Sequence, residues 1–335
     1  MKNYPKVTII VLNWNNYEDS KECLDSINRL KYPNPDVIVI DNGSNDNSGK
    51  RLQINFPKFK YIHNADNMGF CIGNNIGISE ALKDKNCKFI LILNNDTVVE
   101  ENFLEELTKI AEKSTFRIYG SFQPKMIYYD NKNLIDSAGI LYSKNSLSFN
   151  RGIFEPVSKY NKPTDIFGCC AGACLYRREA IDDIIKRDGE FFDEDFFAYY
   201  EDVDIAFRLQ LMGWKSYFVP MSKVYHKSGR SFNKLGDRSR YYLSRNNIYI
   251  IIKNLPLRFI LKNLFIILAV QFLTILLNFI KRGNFGFKII KSKIDALIMY
   301  KTMIKKRKLI KVEKRKWEGI EKFFILKWKI NKQQR

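Results

Sequence analysis

Residues 191–208, FFDEDFFAYYEDVDIAFR, set six carboxylates (Asp193, Glu194, Asp195, Glu201, Asp202 and Asp204) among seven aromatic rings. A carboxylate pressed against Phe and Tyr loses hydration, which raises its pKa unless a cation compensates. Such a cluster costs energy without adding core, and it reads as a site for acid–base chemistry. Part of it has a plainer explanation. Acids in the first turn of a helix complement its dipole, and Asp204 with Arg208, four residues on, is expected as a surface pair.

Three further polar motifs carry candidate chemistry. Asn94-Asn95-Asp96 follows an apolar run, where a carboxylate can hold Mg²⁺ or Mn²⁺, hard ions that bridge to phosphates. One carboxylate is thin coordination, and His226, one of two histidines, is the candidate partner. Asp41 opens Asp41-Asn42-Gly43-Ser44, in a place where an acid often hydrogen-bonds a ribose or base. Asn67-Met68-Gly69-Phe70 leads into Gly69, Gly73 and Gly77, spaced to share one helix face. That face admits either a diphosphate or the close approach of a sheet.

The elements that must position these residues alternate. Strands are expected at residues 7–12, 37–40, 61–63 and 89–93, and helices at 17–30, 69–82, 101–112 and 199–213. Residues 117–178 read as β-rich with loops. This order predicts an α/β fold with βαβ units and a mostly parallel sheet, which binds ligands beyond the carboxyl ends of its strands. Asn13-Trp14-Asn15, the Asp41 motif and the Asp96 motif each follow a strand, so all three should line one crevice.

The chain has 335 residues and a formal net charge of +20. Residues 281–335 hold 19 Lys and Arg against 4 Asp and Glu, so the basic character belongs to the tail. Residues 264–280 lack any charge. At about 1.5 Å per residue they fall short of a roughly 30 Å hydrocarbon core, and they read as an in-plane or re-entrant helix or a marginal span. A core helix is the alternative. Trp317, Phe323, Phe324 and Trp328, interleaved with basic residues, suit an anionic membrane surface. No recognised nucleic-acid module accompanies the tail, so nucleic acid is not an expected partner. The six cysteines form no CxxC pair, which argues against zinc and for a reducing cytosol. The opening MKNYPKVTII lacks a long apolar stretch, so no signal peptide is expected.

Together these residues resemble a family 2 glycosyltransferase of the GT-A fold, most like the rhamnosyltransferase-type members. The resemblance covers roughly residues 6–250. It rests on the run 7–15, on Val39 to Ser44, on Asn67 to Phe70 with Gly73-Asn74-Asn75, and on Leu93 to Asp96. It continues through Gly172-Ala173-Cys174-Leu175, through 192–204, and through His226 and Arg245-Asn246. It implies a GT-A domain over residues 1–250 and a helical, membrane-associating region over 251–335.

The resemblance also implies roles. Asp202 would be the catalytic base. Asn13, Asn15, Asp41, Asn67, Gly69, Asn74 and Asn95 would bind the nucleotide-diphosphate donor, and Asp96 and His226 would hold Mg²⁺ or Mn²⁺. Trp14, Gly172, Ala173 and Glu201 would meet the sugar or the acceptor. The donor would be a dTDP- or UDP-sugar. The acceptor would be a glycan or a polyprenyl-diphosphate-linked glycan at the cytoplasmic face of the membrane. One departure stands out. The family's DxD element begins here with Asn94, whose amide oxygen brings less charge to a cation. That permits an alternative, a membrane-tethered nucleotide-sugar binder without turnover. A nucleotidylyltransferase would want a Gly-rich, basic loop after the first strand, where this chain has Asn13-Trp14-Asn15-Asn16.

Overall fold

The β-branched run after Pro5 forms β1 (Val7–Asn13), and the other apolar runs form β2 (Asp36–Asn42), β3 (Lys60–Asn64) and β4 (Phe89–Asn94). These belong to a computed structural model that describes residues 4–33, 35–229, 235–310 and 314–325. Between the strands lie α1 (Tyr17–Asn28), α2 (Ser48–Asn55) and α3 (Gly69–Leu82). β5 (Thr97–Val99) and α4 (Phe103–Ala111) follow, then β6 (Tyr119–Tyr128), β7 (Ile135–Ser137), β8 (Ile140–Ser143), β9 (Ser148–Asn150) and β10 (Thr164–Ile166). The main-sheet region ends with β11 (Ala173–Arg177), α5 (Arg178–Asp188), α6 (Glu201–Met212) and β12 (Lys215–His226).

The main sheet runs β10-β12-β6-β11-β4-β1-β2-β3. β1 pairs in parallel with β2 and β4, and β2 with β3, whereas β11 enters antiparallel between β4 and β6. This is the GT-A arrangement, a mixed central sheet with helices on both faces. Strands buried on both faces read as continuous apolar runs because successive side chains alternate between two cores. Ile10, Ile38, Ile40, Ile90 and Ile92 pack on one side with residues of α3, α5 and α6. Ile9, Val11, Val37, Val39, Leu91 and Leu93 pack on the other with residues of α1, α2 and α4.

Two of the α3 glycines are there for packing. A Cβ at Gly73 would lie 2.6 Å from Leu12, and one at Gly77 would lie 2.7 Å from Ile10, so α3 sits directly on β1.

The remainder of the chain is helical: α7 (Asp237–Asn254), α8 (Leu257–Lys262), α9 (Leu264–Arg282), α10 (Phe285–Ile298), α11 (Tyr300–Leu309) and α12 (Lys314–Glu321), then a short β13 (Phe324–Ile325) paired with β8. By length and composition α9 is apolar enough to cross a membrane, and Ile267 is its one buried residue. Two expectations change here. Trp317 and Phe324 face inward, in an aromatic cluster with Phe207 and Phe259. The groove beside α6 takes their rings out of water, which outweighs any interfacial preference. Trp328 lies outside the described residues. Asp204 and Arg208 form a fully buried pair, because α6 is covered on its outer side by α7.

Candidate active site

Three anchors consume much of the acidic cluster. Lys253 of α7 bridges Asp193 at 2.6 Å and Asp204 at 2.8 Å. Lys306 of α11 pairs with Asp193, Asp195 and Glu190. Arg208 holds Asp204 and Asp188. Burial raises the Asp193 carboxyl, but the two lysine charges outweigh it and hold the acid well below its usual range.

Among the described residues no Lys or Arg pairs with Glu201 or Asp202. Both sit at the first turn of α6 and line a cavity of about 660 Å³ beyond the carboxyl ends of the central strands. Burial raises both carboxyls, and the neighbouring Asp202 charge lifts Glu201 further. Glu201 Oε2 is buried without a hydrogen bond. Asp202 Oδ1 accepts from the Val203 amide at 2.8 Å, and with no raising charge beside it Asp202 is the more acidic of the two.

The loop before α6 is strained. Phe197, Tyr199 and Tyr200 all hold positive φ, at 64°, 70° and 67°. Such conformations cost about 1–3 kcal/mol each and persist only when the surroundings impose them. Asn246 imposes this one. Fully buried on α7, it donates to the carbonyls of Phe196, Ala198 and Tyr199 at 2.9, 2.9 and 2.7 Å. Arg245 donates to the carbonyls of Asp195 and Phe196. On the other side of the loop, the Phe70 and Cys71 amides donate to the Phe197 carbonyl. A Cβ at Gly69 would lie 2.7 Å from that oxygen, and Gly69 itself has φ +81°. The amino end of α3 therefore grips the loop instead of standing open to a diphosphate.

The Asp96 pair is assembled by register. β5 lies antiparallel to β12 with Thr97 opposite His226, which puts the preceding Asp96 beside the imidazole. His226 Nε2 lies 3.2 Å from Asp96 Oδ1, an oxygen buried with no hydrogen bond. His226 Nδ1 donates to Asp136 Oδ2 at 2.8 Å, which fixes the ring. Burial raises Asp96, but the imidazole charge holds it low; burial lowers His226, and Asp96 and Asp136 together carry it well above its ordinary value. An unsatisfied carboxylate oxygen facing a carboxylate-oriented imidazole nitrogen fits a divalent cation. Among the described residues no three His, Cys, Asp or Glu side chains form a ready cage, so substrate oxygens and water would supply the rest.

Of the other residues expected at the site, Trp14, Asn67, Gly69, Asn95, Gly172, Glu201, Asp202 and His226 line this cavity, together with Asn94. Asn13, Asn15, Asp41, Asn74 and Ala173 are not among its walls. Asn13 is wholly buried and donates to Asp41, Ser44 and Ser48. The Asp41 carboxylate packs on Gly49 and faces His63. The Asn15 side chain accepts from the Asn45 and Asp46 amides. Asn74 donates back to the Phe70 carbonyl within α3, and Ala173 is buried in β11. These side chains shape the loops whose neighbours face the cavity. Asn42 does so most directly, bonding Asn64, Asn67, Met68 and Gly69 and also lining the wall.

A separate cavity of about 700 Å³ opens at the amino ends of β1 and β2. Its Lys60 and Glu80 pair with each other, and it lacks the strand-end motifs.

The fold and the cavity define a glycosyltransferase of the GT-A type. Residues 8–185 match the sequence model described as Glycosyl transferase family 2, and the chain belongs to that family. It is 25% identical over 205 residues to the low-salt glycan biosynthesis hexosyltransferase Agl10 of Haloferax volcanii, covering 60% of this chain and 61% of that protein. It is 24% identical over 229 residues to rhamnosyltransferase WbbL of Escherichia coli K12, covering 66% and 83%. The chain thus spans about three-fifths of the first relative's length and most of the second's. Among solved structures it resembles the mannosyltransferase PcManGT of Pyrobaculum calidifontis in complex with GDP-Man and Mn²⁺, at TM-score 0.53 and 14% identity, covering 92% and 85%.

Proposed function

We propose that this chain is an inverting hexosyltransferase that moves a sugar from a nucleotide diphosphate to a hydroxyl of a glycan or lipid-linked acceptor. The observation that carries the reading is the pair of raised carboxylates, Glu201 and Asp202, in a cavity that His226 also lines, with Asp96 buried directly beside the imidazole. Asp202 is ionised near neutrality yet basic enough to take a proton, which suits a general base. It removes the acceptor hydroxyl proton as the oxygen attacks the anomeric carbon. The bond to the diphosphate breaks on the far side, the leaving group keeps the electron pair, and configuration inverts. Asp96 and His226 would hold Mg²⁺ or Mn²⁺, which when bound neutralises charge on the departing diphosphate. Asn42, Asn67, Asn94 and Asn95 offer amides to the donor, and Trp14 and Gly172 border the sugar. The rhamnosyltransferase relative makes dTDP-rhamnose the first donor to try, with UDP-sugars next.

Residues 1–250 would carry the transfer and residues 251–335 would appose it to the cytoplasmic face of the membrane. The exposed apolar side chains of α8–α10, including Phe265, Phe272, Ile280 and Phe287, support this reading.

Asp202→Asn tests it. Transfer from the active nucleotide sugar should fall about 10²–10⁴-fold while binding measured by calorimetry persists. Strong residual turnover would remove Asp202 from the role.

A further inference from the structure

A niche of about 300 Å³ lies where the catalytic body meets the apolar helices. It shares Ser148, Tyr200 and Leu243 with the walls of the main cavity, so the two spaces adjoin beside the start of α6. Its far wall is α9. Gln271, Thr274 and Asn278 recur at i, i+3 and i+7, which puts all three on the helix face turned to the niche. Phe265, Leu268, Phe272 and Leu276 are exposed to solvent elsewhere on α9.

The niche contains two cations, Arg240 and Lys293, and no carboxylate among its described lining residues. Lys293 donates to Gln271 Oε1 at 2.5 Å, and Gln271 in turn donates to Asn247 Oδ1 at 2.9 Å. Among the described residues no acid pairs with Lys293. Burial without such a partner pulls its ammonium down to about 8. Lys253 and Lys306, by contrast, each face two or more carboxylates, whereas Lys125 on β6 is likewise buried against an amide, that of Asn161. Holding a lysine half-buried against amides costs free energy that an acid would have offset. An incoming anion offsets it instead.

Location narrows the anion. One side of the niche opens toward the donor cavity and Asp202, and the other is formed by helices whose outer faces are apolar and unpartnered. A phosphate bound here belongs to a molecule with a lipid tail and a polar head that reaches the base. We propose that the Lys293–Arg240 niche binds the phosphate or diphosphate of a lipid-linked acceptor. The hydrocarbon chain lies along the exposed faces of α8–α10, and the first sugar extends past Tyr200 toward Asp202. This rests on reading the main cavity as the transfer site. It goes further by placing the acceptor's charged group and by making α9 and α10 part of the acceptor site.

Farnesyl diphosphate is a suitable probe, with farnesol and inorganic pyrophosphate as controls, measured by calorimetry on the full chain in detergent. The wild type should bind farnesyl diphosphate more tightly than either control. Lys293→Gln, which keeps a hydrogen-bonding amide beside Gln271, should weaken that binding at least tenfold, and Arg240→Gln should do likewise. Mn²⁺-dependent binding of UDP or dTDP should not change. Unaltered farnesyl diphosphate affinity in both variants, with nucleotide binding and turnover intact, overturns the niche and leaves the transferase reading standing. If Lys293→Gln instead loses flotation with phosphatidylglycerol vesicles while keeping farnesyl diphosphate affinity, the niche reads bilayer headgroups and the proposal fails. Lys293-dependent farnesyl diphosphate binding in a protein that turns over no nucleotide sugar supports the niche and counts against the transferase reading alone.

Discussion

Glu201 and Asp202 are adjacent, yet their surroundings separate their roles. Both lose hydration and both are aided by nearby backbone amides, but only Glu201 is raised further by the charge of its neighbour. Ionisation is therefore easier at Asp202, and Glu201 remains protonated into the neutral range. The base must be ionised to act. The rate of transfer should rise about tenfold per pH unit up to an apparent pKa near 6 and then level off. An acid limb near pH 4, the ordinary carboxylate value, would show that the active-site base is not desolvated. The Asp96–His226 pair obeys the opposite logic, with each partner stabilising the charge on the other. Asp136, which orients the imidazole, had no signal in the sequence. It is the middle residue of the three-residue β7, and only the pairing of β6 with β7 brings it to His226.

At the scale of elements, the working piece is the strained loop 197–200 between α3 and α7. Its left-handed aromatic residues could not hold that shape unaided. Asn246 supplies three hydrogen bonds from a helix that precedes the apolar region, so the loop before α6 and the C-terminal helices share one anchor. Asn246→Ala should leave three carbonyls poorly paired and allow the loop to relax. A lowered kcat of at least tenfold, with the KM for the nucleotide sugar little changed, is the expected signature. Equal loss of both with a lower unfolding midpoint would mark Asn246 as purely structural. The two inner glycines of α3 work at the same scale, bringing the helix onto β1 so that Gly69 meets the loop from the other side.

At the scale of the molecule, the C-terminal helices are knitted into the body built on the main sheet. Lys253 and Lys306 neutralise buried acids, and Trp317 and Phe324 complete an aromatic core around Phe207. Cutting the chain near residue 250 would strip Asp193 of both lysines, and uncompensated buried charges cost about 3–5 kcal/mol each. Membrane association is better tested in the full chain. Phe265, Phe272 and Ile280 are 89%, 64% and 70% exposed, so replacing all three by Glu should spare the unfolding midpoint. At about 1.5–3 kcal/mol per large side chain taken from water, vesicle partitioning should fall about a thousand-fold or more. Undiminished flotation of that variant would place the membrane contact elsewhere.

Much of the fold is legible in the sequence. The apolar runs that became β1, β2 and β4 announce themselves because strands buried on both faces admit no polar interruption. The polar motifs directly after them had to fall at one edge of the sheet, which is why Trp14, Asn95 and Asp96 were found near the cavity. Asn13 and Asp41 turn away from the cavity walls for a local reason. A strand-end residue points either into the crevice or into the loop beneath it, and hydrogen bonds to Ser44 and Ser48 decide that. Asp204–Arg208 was misjudged for a distant one, since its burial depends on α7, which lies some fifty residues on.

Composition and periodicity thus determined the α/β order, the edge of the sheet where chemistry would occur, and the apolar helix near the end of the chain. Only the tertiary structure decided which of six neighbouring acids remain available for catalysis. Sequence shows that the acids and Arg208 are close together, but the lysines that neutralise some of them arrive from other helices. Whether a carboxylate becomes a base or a strut depends on what is packed against it.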